Sequence, residues 1–283
     1  MANEKILITG AGTGFGKEIA FSLAEQGKSV IATVEIVAQV SALEQEAKER
    51  GVTMQIEKLD VTNPKDREKA WTWDIDVLVN NAAVSEGGSL VDIPEENLRH
   101  QFEVNVFGPT LLTKGFARQM VDKQSGRIVF VSSVSGLMAD PLMGPYCGTK
   151  HAIEAFSDSL SKELQEFNVE VATINPGPYL TGFNDREFET WKDWQSDAED
   201  TVYDYEQASF PYEQFDPKEV IEPSVKVILG ETKQYRNVIP EKMIPLVKER
   251  MEGMWSKTTD DGLGERNETV QKSYDIAPGT PAE

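Results

Sequence analysis

Cysteine, histidine and positive charge are all scarce in this chain. The one cysteine, Cys147, rules out an internal disulfide and fits a reducing compartment; it reads as a small helix-packing residue. The two histidines, His100 and His151, have neither a second histidine nor a cysteine at ligand spacing, so no metal site is expected. Lysine and arginine number 28 against 48 aspartates and glutamates, a formal charge of −20. Such a surface repels phosphate backbones and anionic headgroups, which argues against nucleic acid and membrane partners. No apolar run reaches the length of a membrane span, and the N-terminus opens a strand without a charged flank and a long apolar stretch, so a cytoplasmic protein is expected. Neither an internal repeat nor a linker divides the chain before residue 256, which predicts one domain over 1–255 and a tail, 256–283, that is mobile or docked on a partner.

What the chain does have is an alternation of short apolar runs with helical periodicity. Lys5-Ile6-Leu7-Ile8-Thr9 reads as a buried strand that runs into Gly10-Ala11-Gly12-Thr13-Gly14-Phe15-Gly16, and a helix follows from about Lys17. Strand, glycine turn and helix in that order form a nucleotide cradle: glycines admit a pyrophosphate close to the backbone, and the helix N-terminus offers free N–H groups. Further strands are predicted at 30–34, 54–59, 75–79, 128–131, 169–174 and 235–239. Helices are expected at 37–50, 66–73, 98–121, from Pro145 to about 167, at 218–229 and at 243–255, which together imply a doubly wound α/β parallel sheet. Glu35 ends the second strand 21 positions after Gly14, where a carboxylate holds an adenosine ribose and repels a 2′-phosphate; with no Lys or Arg at 13, 34, 35 or 36, NAD(H) is favoured over NADP(H).

Tyr146 and Lys150 stand at i and i+4 on the helix opened by Pro145, on one face, where the cation is expected to lower the phenol's pKa and make it a usable acid/base. From Tyr179 to about Asp216 the rhythm breaks into an aromatic, acidic stretch that reads either as a surface excursion packed on itself or as a lid over an apolar substrate.

These residues jointly resemble the short-chain dehydrogenase/reductase family over about residues 5–182: the turn from Thr9 to Gly16, Asp60-Val61, Asn80-Asn81-Ala82, Asn105, Ser133 13 positions before Tyr146, the Tyr146/Lys150 pair and Pro176-Gly177. Ala83 stands where the family usually has glycine. The resemblance implies a Rossmann fold, a homodimer or homotetramer through the helices at 98–121 and 145–167, and catalysis by Asn105, Ser133, Tyr146 and Lys150. Tyr146 would be the general acid/base, Lys150 would tune it and bond the nicotinamide ribose, Ser133 would hold the substrate oxygen, and Asn105 would keep a relay water. Gly10, Thr13, Gly14, Phe15, Gly16, Glu35, Asp60, Val61, Asn80, Ala82, Pro176, Gly177 and Thr181 would join Tyr146 and Lys150 in binding the cofactor. Met138, Leu142 and Met143, with Phe183 and the aromatics after it, point to an apolar or aromatic small-molecule substrate, with Ser133, Ser135 and Tyr146 meeting its polar end and Val84, Ser85 and Glu86 available for further contacts. The expected activity is interconversion of a secondary alcohol and a ketone with NAD(H); a catalytically silent nucleotide-binding sensor of the same fold is the alternative.

Overall fold

The computed structural model describes residues 4–194 and 201–282. Seven strands form one parallel sheet in the order β3-β2-β1-β4-β5-β6-β7: β1 (Lys5–Ile8), β2 (Ser29–Val34), β3 (Gln55–Lys58), β4 (Val77–Asn80), β5 (Gly126–Val131), β6 (Val169–Pro176) and β7 (Arg236–Ile239). Side chains alternate across the sheet, so Ile6 and Ile8 of β1 enter one apolar core and Leu7 the other. The first core is covered by α1 (Gly14–Glu25), α2 (Val37–Arg50) and α9 (Lys218–Ile228); the second by α3 (Pro64–Ala70), α5 (Gly108–Lys123) and α6 (Gly144–Leu164). The strand order reverses between β1 and β4, and ligands of such sheets bind at the carboxyl ends beside that reversal.

Expected and observed elements coincide closely, with informative differences. The single helix expected at 98–121 is α4 (Glu95–Phe102) and α5 joined by a π-helical turn, Glu103–Phe107, that contains Asn105. Pro109 explains it: proline has no N–H for the carbonyl four residues back, that of Asn105, and its ring crowds that carbonyl, so the turn widens. The helix expected at 66–73 starts earlier, because Asn63 caps it (its Oδ1 accepts from Lys65 N–H at 2.9 Å) and Pro64 fits its first turn.

After β6 come two short helices, α7 (Phe183–Glu187) and α8 (Trp191–Trp194), and between β7 and the tail lies α10 (Ile244–Gly253). The stretch expected as an excursion or lid, 179–216, packs Phe188, Tyr205 and Phe210 against Leu142, Met143 and Cys147 at the start of α6; its residues 195–200 lie outside the described residues. Part of the tail is folded onto its own chain: it forms α11 (Glu268–Asp275) and buries Thr269, Val270 and Ser273. Ser209 N–H donates to the Ser273 carbonyl at 2.7 Å, and Gln214 N–H to that of Thr280 at 2.8 Å. Among the described residues, no helix is long and apolar enough to cross a membrane.

Candidate active site

The glycine turn, the β4–β5 ends and the aromatic stretch enclose one cavity of about 960 Å³. At one end Gly10, Thr13, Gly14 and Phe15 line it. Gly10 and Gly14 have φ of +67° and +57°, which side chains other than glycine rarely adopt, and a Cβ on Gly10 would sit 2.7 Å from Ala82 Cα. Thr13 precedes α1 without capping it through its side chain, so the helix's first N–H groups are left for an anion. Glu35, Asp60, Val61 and Ala82 line the same end, and Pro176, Gly177 and Thr181 the far wall. These donors and this open backbone cradle suit a dinucleotide.

Two expected cofactor contacts are placed otherwise. Asn80 is buried and turned toward α5, where its Nδ2 donates to Thr113 Oγ1 at 2.9 Å, and it does not line the cavity. The lining residue is its neighbour Asn81, whose Nδ2 braces the turn by donating to the carbonyls of Thr9 at 2.9 Å and Gly10 at 3.1 Å. In a strand, adjacent residues face opposite sides, so a one-residue difference in where β4 ends exchanges their roles. Gly16 also stays behind the wall, where it lets α1 approach the turn: a Cβ there would lie 2.6 Å from the Gly10 carbonyl oxygen.

At the other end Ser133, Tyr146 and Lys150 come together, with Ser135, Met143 and Phe183 beside them. The Phe183 ring meets Tyr146 edge-on, centroids 5.8 Å apart. Behind Ser133 a buried network fixes its backbone: Asn175 Nδ2 donates to the Ser133 carbonyl at 3.1 Å and to Glu154 Oε1 at 2.6 Å, and Arg236 pairs with Glu154 at 2.9 Å. Asn105 lies outside the lining. Its side chain accepts from Val84 N–H at 2.8 Å and donates to the Val84 carbonyl at 2.7 Å and to Thr149 Oγ1 at 3.2 Å, tying the loop after β4 to α6.

The electrostatics differ from the expectation for an i, i+4 pair. Lys150 donates to the Val131 carbonyl at 2.9 Å, and its Nζ lies 5.5 Å from the centre of the Tyr146 ring. Burial lowers its pKa to about 8, with Glu154 opposing. The Tyr146 phenol is not pulled down by the lysine here: burial pushes it well above its ordinary value, the charge of Glu187 adds to this, and only the Ser133 hydroxyl pulls the other way. Burial likewise keeps the Cys147 thiol protonated, as befits a packing residue.

Glu187 is the site residue that sequence reasoning passed over. It is 2% exposed, lines the cavity, and burial pushes its pKa up to about 8. Nothing in the local letters marks it apart from its place among aromatics, between Phe183 and Phe188. The tail was missed in the same way: Lys272, Asp275 and Ile276 line the cavity.

Comparison with known proteins agrees with this fold. The short chain dehydrogenase family model matches residues 4–192. An uncharacterized oxidoreductase of Bacillus subtilis is 40% identical over 187 residues, 63% of this chain and 66% of that protein. A 3-ketodihydrosphingosine reductase of Bacteroides thetaiotaomicron is 34% identical over 191 residues, 65% of this chain and 67% of that protein. The matched stretch thus spans about two thirds of these relatives' own lengths. Among solved structures, an actinorhodin polyketide ketoreductase with NADPH is 26% identical with a TM-score of 0.70, covering 84% of this chain and 95% of that one. With its seven-stranded Rossmann sheet and this match, the chain belongs to the short chain dehydrogenase family of oxidoreductases.

Proposed function

We propose that this protein interconverts a secondary alcohol and a ketone on an apolar or aromatic small molecule, using NAD(H), with Tyr146 as general acid/base. The observation that carries the reading is that Ser133, Tyr146 and Lys150 open into the same cavity as the glycine turn, with Met143 and Phe183 walling the reacting end. When bound, a nicotinamide cofactor takes hydride from the carbinol carbon or gives it to the carbonyl carbon. The chain's own residues handle the proton and the orientation. In oxidation Tyr146 takes the hydroxyl proton as the C–H electron pair leaves; in reduction it returns a proton to the carbonyl oxygen. Ser133 bonds the same oxygen, so charge that develops there meets two fixed hydroxyls, and the stabilisation falls on the transition state. Lys150, anchored on Val131, holds its positive end near the phenol and the ribose side of the site. Asn105 acts as a positioning residue through Val84 and Thr149.

The cofactor preference rests on Glu35 at the adenosine end of the cavity, where no Lys or Arg occupies 34–36. The polyketide ketoreductase neighbour was solved with NADPH, which makes this choice the first thing to measure. A homodimer or homotetramer is part of the proposal, supported by the exposed Leu111 and Phe156 on the long helices and Phe107 on the π turn before α5. So is closure of the stretch around 179–216 over the substrate.

Fluorescence titration with NADH and NADPH separately, followed by turnover of apolar secondary alcohols, tests the reading. Tight NADH, weak NADPH and a Tyr146→Phe variant that binds NADH but has lost turnover are expected. NADH binding with near-full activity in Tyr146→Phe would overturn the mechanism, and binding without any turnover by the wild type would favour the silent sensor. Glu35→Arg should improve NADPH affinity at least tenfold; an unchanged value would mean that Glu35 does not face the ribose.

A further inference from the structure

Helix α7 carries Phe183 and Glu187 four positions apart, so the two side chains share a helix face, and both line the cavity. Phe183 touches Tyr146, which places this face at the reacting end. The backbone of Glu187 is clamped there. Its carbonyl accepts from Gly87 N–H at 2.9 Å and from the Thr190 hydroxyl at 2.9 Å. The loop after β4 approaches so closely that a Cβ on Gly87 would sit 2.5 Å from that oxygen.

The side chain, by contrast, is unmet. Glu187 Oε1 has no hydrogen-bond partner, and neither does the buried hydroxyl of Ser85, although that hydroxyl draws the carboxyl's pKa back a little. Among the described residues, no cation pairs with Glu187. The other buried acid at the cavity, Asp140, already has Arg250 at 2.5 Å. A buried carboxyl without a counter-charge is unfavourable, and Glu187 lines the cavity in which substrate must lie.

We propose that Glu187 anchors a protonated amine on the substrate, so that the apolar alcohol or ketone handled here carries an amino group near its reacting carbon. This deepens, and rests on, the oxidoreductase reading above. An amine fits better than a hydroxyl because a hydroxyl fills one hydrogen bond, whereas an ammonium also supplies the counter-charge that an ionised Glu187 lacks. Without ligand, burial keeps the carboxyl mostly protonated below about pH 8. An arriving ammonium ionises it, and the displaced proton is released to solvent. Tyr146 and Cys147 face the same carboxyl and feel its charge, which ties the amine's place to the reacting end of the cavity.

Three alcohols that differ in one group provide the test: 2-amino-1-phenylethanol, 1-phenylethane-1,2-diol and 1-phenylethanol, each with NAD and with NADP at pH 7.5. The amine is expected to exceed 1-phenylethanol at least tenfold in kcat/KM, with the diol between, and in Glu187→Gln the ratio of amine to 1-phenylethanol should fall at least tenfold. A wild type that oxidises 1-phenylethanol without preferring the amine, or a preference that survives in the variant, overturns the proposal and leaves the oxidoreductase reading standing. Failure to oxidise any of the three tells against that reading, and calorimetry then decides the proposal alone. In two buffers of different ionisation enthalpy, the amine should bind the wild type with release of most of one proton, and bind Glu187→Gln at least tenfold more weakly with none. Absent binding, or binding without proton release, overturns it. The wild-type comparison and the proton release stand on their own should the glutamine variant fail to fold.

Discussion

Replacing Glu187 with glutamine should make the protein more stable in alkaline solution and leave it nearly unchanged in acid. In the unfolded chain this carboxyl ionises near 4.5; in the folded protein burial, only slightly offset by Ser85, pushes the value up to about 8. Between these two pH values the unfolded chain has released its proton and the folded protein still holds it. The folded state therefore binds more protons, and every rise in pH across the interval favours unfolding. The displacement is about 3.5 units, and at about 1.4 kcal/mol per unit the penalty grows from under about 1 kcal/mol at pH 5 to about 4–5 kcal/mol at pH 8.5, beyond which it is nearly constant.

Glutamine has the same shape and no proton to lose, so the variant escapes this slope. For a chain of this size each kcal/mol moves the melting temperature by roughly 2–4 °C, so Glu187→Gln should melt about 10 °C above the wild type at pH 8.5 and within about 3 °C of it at pH 5. The buried Lys150 has the opposite slope, its pKa being lowered from 10.5 to about 8, so stability is gained as pH rises between those values. That slope is common to both proteins and cancels in the difference. Any fixed cost of the new amide in a cramped site shifts both pH values equally, so the readout is the change in the difference between them. Thermal melts followed by circular dichroism at pH 5, 6.5, 8 and 8.5, with Glu189→Gln as an exposed control, decide the matter. Parallel curves for Glu187→Gln and wild type across that range would refute the claim that the fold buries an ionisable group there at such cost.

Gly16→Ala would place a methyl 2.6 Å from the Gly10 carbonyl oxygen, a backbone atom that cannot step aside; NADH affinity should fall at least tenfold by fluorescence titration, and unchanged affinity would mean that the turn adapts. Asn80→Ala should cost about 1–2 kcal/mol in urea unfolding through its bond to Thr113, with NADH affinity kept within about twofold; a tenfold loss would return Asn80 to the cofactor. Asn105→Ala removes three side-chain hydrogen bonds and leaves Val84 N–H and its carbonyl unpaired, which should lower stability by about 3 kcal/mol and raise KM through the loosened loop; a loss confined to kcat would point instead to a direct part in proton transfer. Deleting residues 267–283 removes the backbone partners of Ser209 and Gln214 and takes away part of the cavity wall. The shortened protein should bind NADH normally, yet show a raised KM for any apolar substrate; an unchanged KM would free the tail from the site.

The middle of the sheet was legible because β1, β2 and β4 are short apolar runs bounded by turn residues, and because parallel strands buried on both faces leave no polar alternation to confuse the period. The cofactor end was legible for a different reason. Gly10 and Gly14 occupy positive φ and Gly10 packs onto Ala82, and so stringent a local demand on the backbone appears directly as a residue type. Asn80 and Asn81 mark the limit of that logic. The two letters are identical, and which one reaches the cavity depends on where β4 stops pairing with β5, at Asn80 opposite Phe130. Helix periodicity likewise captured the rod at 95–123 but not its π turn, although Pro109 was in plain view, because the pattern of apolar positions barely changes when one turn widens by a residue.

What stayed hidden shares one cause: it is decided by contacts far apart in sequence. Glu187 and Glu189 are two positions apart in one acidic, aromatic stretch, yet Glu189 stands in solvent beside Lys192 while Glu187 is enclosed by the loop after β4 and the start of α6. No propensity separates two glutamates so placed; Gly87, a hundred residues earlier, does, by bringing its backbone against one and not the other. The same long-range enclosure sets the protonation of Tyr146. Spacing alone paired it with Lys150 and predicted a lowered phenol, but Lys150 is turned to Val131 and the enclosing walls, with the charge of Glu187, outweigh it. Above about pH 8, where the unliganded carboxyl is ionised, a cation placed against Glu187 removes one of the influences that hold the phenol protonated. Occupancy of the amine subsite and readiness of the general base are therefore linked through one carboxylate, and an alcohol without the amine should require a higher pH to reach the same fraction of its maximal rate.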